Sequence, residues 1–161
     1  MNRRTFTTMT LLALVLPTAL PQAGIAQSNP LIGTWKINLA KSKYSPGPAP
    51  RSGTTIFESV GQGLKITAEN IDAQGKPTKV DFGVISFDGK SYPVTGTPDY
   101  DASSYKQVNA STFESTRTKA GKVVQTVTIV VSADGKSRTV TTTGVDEKGQ
   151  QINNVAVYDK Q

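Results

Sequence analysis

Whatever chemistry this chain performs is done without histidine or cysteine, because its 161 residues contain neither. That removes the usual general base near neutral pH, the commonest zinc ligand and every Ser-His or Cys-His nucleophile arrangement. Carboxylate, tyrosine, lysine and arginine chemistry remain. Asp99-Tyr100-Asp101 places two carboxylates on one side of an extended chain. Calcium would demand more oxygen ligands than the neighbouring sequence brings. The expectation is therefore a solvated loop after Pro98, with no metal site and no cofactor. Asp146 and Glu147 read as a turn, not as an acid–base pair.

Two arginines carry more information. Arg117 shares a strand face with Phe113 and Ser115, and alternation turns Phe113 inward. An inward guanidinium is costly unless it is paired or meets an anion. The plainer expectation keeps its head in solvent at the strand end while its stem covers apolar surface. Arg138 shares a face with Val140 and carries the same two readings.

The elements that must hold these residues are short alternating segments. They fall at residues 32–39, 54–60, 64–71, 78–86, 91–94, 103–108, 112–118, 123–132, 137–145 and 150–158. Turn signals separate them at strand-like spacing, with glycine at Gly75, Gly89, Gly121, Gly135 and Gly149, and aspartate often just before. Aspartate there can close the turn through its own side chain. Consecutive hairpins make an antiparallel meander, so the fold class is all-β with about 8–10 strands. Closing it into a barrel would remove exposed sheet edges, and an open sandwich is the alternative. The proline-rich stretch 44–51 cannot continue a ladder and reads as a stiff connector.

Residues 1–26 read as a cleaved export signal. Arg3 and Arg4 precede a mostly apolar run at 9–20, and Gly24-Ile25-Ala26 supplies the small residues a signal peptidase needs. The run is too short to span a bilayer, so no stable membrane anchor is expected. Arg3-Arg4-Thr5-Phe6 is compatible with general secretory or twin-arginine export, to the periplasm or outside the cell. Residues 27–161 then form a single domain holding 16 basic and 12 acidic residues, a net charge of +4. The lysines are spread along the chain near turns, which argues for a solvated surface and against nucleic acid.

Gly33-Thr34-Trp35-Lys36 on the first strand and Val157-Tyr158-Asp159-Lys160 on the last resemble the two ends of a calycin, the superfamily of lipocalins and fatty-acid-binding proteins. The resemblance implies an up-and-down barrel in which Trp35 plugs one end with Tyr158 or Lys160 beside its ring. The fatty-acid binders follow their first strand with a helical lid; here the proline-rich stretch takes its place. They also carry an arginine two residues before the terminal tyrosine, and here that position is Ala156. The family's fatty-carboxylate clamp is thus not expected, although its barrel is.

The resulting expectation is an exported lipocalin-like barrel that binds a small apolar or amphipathic molecule and is not an enzyme. Its walls would be Ile66, Ala68, Phe82, Val84, Phe113, Val127 and Ile129, with Arg117 as the polar contact. A barrel filled by Phe57, Phe82, Phe87, Phe113 and valines would instead be a structural or interaction protein of the cell envelope. An arginine or lysine held against a tyrosine or carboxylate deep inside would keep tyrosine or carboxylate catalysis open.

Overall fold

Every expected segment is a strand in the computed structural model, which describes residues 29–161. The proposed leader and its cleavage point lie outside the described residues. In chain order the strands are β1 (Gly33–Ile37), β2 (Ser52–Val60), β3 (Gly63–Ile71), β4 (Pro77–Ile85) and β5 (Asp88–Pro93). The second half contains β6 (Ala102–Gln107), β7 (Thr112–Lys119), β8 (Lys122–Val131), β9 (Ser137–Val145) and β10 (Gln151–Lys160). A single 3₁₀ turn, Leu39–Lys41, follows β1. It ends the alternation early and leaves Leu39 exposed.

The turns form for the reason the sequence suggested. Asp72 Oδ1 accepts from the backbone N–H groups of Gln74 and Lys76, and Asp146 Oδ1 from those of Lys148 and Gln150. Asp88 and Asp134 close their turns in the same way onto Lys90 and Lys136. At Ala120-Gly121 both residues are left-handed, with φ of 49° and 76°. That is the two-residue turn whose twist matches the flanking strands.

All ten strands belong to one antiparallel sheet in the order β4-β3-β2-β1-β10-β9-β8-β7-β6-β5. It curls into a nearly closed barrel. The two sheet ends, β4 and β5, face each other across a seam bridged at Asp81 and Thr95, which exchange two N–H···O bonds of 3.0 Å. The inward face carries Trp35, Phe57, Ile66, Phe82, Phe113, Val127 and Ile129, all buried. Outward positions of β7, β8 and β9 are mostly threonine, which suits a wet pleated surface.

One wall assignment is corrected. Val84, expected inward beside Phe82, is 47% exposed. The β3–β4 register shifts between Lys65 and Thr67, and Gly83 sits opposite this shift at φ 68°. A bulge of this kind inserts one unpaired residue and inverts the parity beyond it. Phe82 and Ile85 therefore both point in, and Val84 points out.

Candidate functional site

The barrel is not packed shut. An interior cavity of about 270 Å³ remains between the two sheet halves. Ile66, Ala68, Phe82, Phe113, Val127 and Ile129 line it as alternation predicted, together with Phe57 and Ala156. Two regions of it are organised around an arginine, and the stretch between them is mostly apolar with Ser115 and Thr142 among its lining residues.

The floor is built from β1, β2, β9 and β10. Alternation on β1 buries Trp35 completely, and its Nε1–H donates to the Leu31 carbonyl oxygen at 2.7 Å. Lys160 Nζ lies 5.1 Å from the indole centroid, so the expected cation is present beside the ring. A Cβ at position 33 would stand 2.9 Å from Lys160 Cε, and Gly33 leaves room for that approach. The more deeply placed cation is Arg138. It sits opposite Val131 on β8 and Tyr158 on β10, which turns its side chain inward from β9.

The expectation of a solvated Arg138 is therefore overturned: the residue is 3% exposed. Its Cζ lies 5.3 Å from the Trp35 ring, 4.8 Å from Phe57 and 4.5 Å from Tyr158. Three ring faces cradle the guanidinium, and its Nε is buried with no hydrogen-bond partner among the described residues. None of the ion pairs among the described residues involves it. Burial pushes its pKa down to about 10, so it stays a cation at neutral pH.

The mouth is organised by Arg117 on β7, whose Nη1 donates to Gln125 Oε1 across the β7–β8 pair at 2.9 Å. Gln125 in turn donates to the Val145 carbonyl oxygen. Arg117 Cζ lies 4.5 Å from the Tyr100 ring and 5.9 Å from Phe82, and its Nε is also buried without a partner. Half-buried and aimed at the cavity, Arg117 follows the inward reading. The loop Asp99-Tyr100-Asp101 is not simply solvated. Tyr100 is buried against Phe82, while Asp99 Oδ1 accepts from the Glu147 N–H and Asp101 Oδ2 from the Ala120 N–H. Both carboxylates fasten loops, and Asp99 also lines the cavity. Among the described residues, no group of three or more carboxylates could hold a metal ion.

Tyr44, carried by the proline-rich connector, also lines the cavity. Pairing of Lys43 with Val155 and a hydrogen bond from the Ser45 N–H to Asn154 Oδ1 tie this connector to β10. Burial raises the pKa values of Tyr44, Tyr100 and Tyr105, which keeps these phenols protonated.

Tyr105 lies beside the buried Ser103–Ser115 hydroxyl pair, whose oxygens are 2.7 Å apart, and is pushed up to about 12 by burial. A raised folded-state pKa gives stability that is complete below the ordinary tyrosine value near 10 and disappears as pH climbs toward 12. Denaturation midpoints measured across pH 9–12 should fall steeply in the upper part of that range, and Tyr105→Phe should flatten the fall. An equally steep fall in the variant would assign the loss to other groups.

The sequence pointed to Arg117 and to most of the walls, but not to the burial of Arg138 or to Tyr44, Tyr100 and Gln125 as cavity residues. Comparison with known proteins adds to the fold and not to the site. No family model and no curated protein matches the sequence. Among solved structures, that of Rv2717c from M. tuberculosis is similar at a TM-score of 0.53 and 16% identity, covering 82% of this chain and 93% of that one. At that identity the likeness is one of barrel architecture alone.

Proposed function

We propose that this chain is an exported, calycin-like barrel that binds a small amphipathic molecule in its interior, with the anionic head at Arg138. The observation that carries the proposal is a cationic side chain, buried and without an ion-pair partner among the described residues, at the floor of a mostly apolar cavity. Such a group gains most from an anion brought in by a ligand. Size narrows the class further. A cavity of roughly 150 Å³ accepts benzene, so about 270 Å³ corresponds to about eleven non-hydrogen atoms. That is a medium-chain or single-ring acid, and a long-chain fatty acid would not be enclosed.

Arginine–tyrosine contacts inside the cavity are the feature that would also suit a catalyst. The raised tyrosine pKa values favour binding over catalysis, because a phenol held protonated is a poor base.

Native mass spectrometry of protein purified from its own host is the direct test. The expected spectrum holds a chain beginning at Gln27 and a retained small molecule. In the stripped protein, octanoate and phenylpropanoate should each change the emission of Trp35, the only tryptophan, in a saturable way. No retained molecule and no response to either acid would instead leave a structural barrel.

A further inference from the structure

The two interior arginines are separate anchoring points. They share no aromatic ring: Trp35, Phe57 and Tyr158 surround Arg138, whereas Phe82 and Tyr100 surround Arg117. Strand register sets them apart. Arg117 pairs with Gln125, and Arg138 with Val131, on the same strand β8. Six residues of β8 separate those backbone levels, about 20 Å of strand, and two long arginine side chains cover part of that span. The wall between them includes Phe113, Val127, Ile129 and Val140, with the hydroxyl side chains of Ser115 and Thr142 beside Val127, so it is mostly but not wholly apolar.

Their electrostatic surroundings also differ. Among the described residues no carboxylate lines the floor, whereas Asp99 lines the cavity with Tyr100, the ring on which Arg117 lies. A full negative charge is thus welcome at the floor. At the mouth a second negative charge would meet Asp99, while the unpartnered Arg117 Nε–H still needs an acceptor.

We infer that the ligand is a two-ended molecule: an acid at Arg138, an apolar middle, and a neutral oxygen acceptor such as a hydroxyl or carbonyl at Arg117. This rests on the binding function proposed above and specifies its substrate class. Neither end group alone would use both arginines.

The test compares octanoate, ω-hydroxyoctanoate and suberate on the stripped full-length mature protein, read by Trp35 emission and calorimetry. The expected order is ω-hydroxyoctanoate first, by about tenfold over octanoate, as one added hydrogen bond to a charged donor would give. Suberate should fall below the hydroxy acid, because its second carboxylate faces Asp99. Arg117→Met should collapse the hydroxy preference toward one, and Arg138→Met should weaken all three acids. Equal affinity for octanoate and its hydroxy analogue, a preference that survives Arg117→Met, or suberate binding tightest would overturn the inference. Octanoate binding that depends on Arg138 but shows no hydroxy preference overturns it while leaving the binding function standing. Failure of all three acids to bind overturns both.

Discussion

Trp35→Ala is expected to lower folding stability by about 3–5 kcal/mol, the range for truncating a fully buried large aromatic. The side chain has no exposed surface, and the substitution also strips the Leu31 carbonyl of its 2.7 Å donor. Arg138 and Lys160 both lie against the indole, so its loss would leave one buried cation with a poorer cradle. Urea denaturation followed by sheet circular dichroism measures the effect without relying on the lost fluorophore. An unchanged midpoint would mean that Trp35 does not close the barrel floor. Trp35→Phe should recover part of the loss, since it refills volume but cannot donate to Leu31.

The second large effect has the opposite sign. Arg138→Met is expected to raise the stability of the ligand-free protein by roughly 1–2 kcal/mol while removing acid binding. Burial depresses the folded-state pKa of Arg138 from the ordinary arginine value to about 10, so holding it charged costs about 3 kcal/mol at neutral pH. The sign follows from the titration: the cost is present wherever both states are protonated, and is relieved as pH rises from about 10 toward the ordinary arginine value. Contacts with three ring faces offset part of it. Methionine keeps most of the stem volume and needs no partner. Denaturation midpoints of both proteins, with and without octanoate, separate two roles. A loss of several kcal/mol in the ligand-free variant would make Arg138 a structural support of the floor instead of a ligand anchor.

Much of the architecture was legible because two local signals agree throughout the chain. Alternation placed Ile66, Phe113, Val127 and Ile129 on the inner face, and aspartate or glycine at the turns set the hairpins that keep them there. Val84 escaped because a single left-handed glycine inverts parity, and period-two reasoning has no means of detecting an inserted residue. Arg138 escaped for a different reason. Its parity with Val140 was evident, but composition alone treats arginine as surface, and only the convergence of β1, β2 and β10 provides the rings that cradle it. Tyr100 lies in a segment without strand pattern, and its burial depends on loop contacts with Ala120 and Glu147 that are distant in sequence.

The covalent chain and the hydrogen-bonded sheet are interrupted at different places. β1 and β10, near the two ends of the described chain, are full ladder partners in the middle of the sheet, while consecutive strands β4 and β5 face each other across the seam. Every other pairing is between sequence neighbours. The topology divides into two meanders of local pairings, β1 to β4 and β5 to β10, and one ring-closing event that joins them. That event must draw in a loop of more than a hundred residues, so loop entropy weighs on it more than on any hairpin. Joining residue 161 to residue 29 and opening the chain between β4 and β5 would keep the same barrel, make every strand ladder local and leave the Asp81–Thr95 bridge as a long-range pairing.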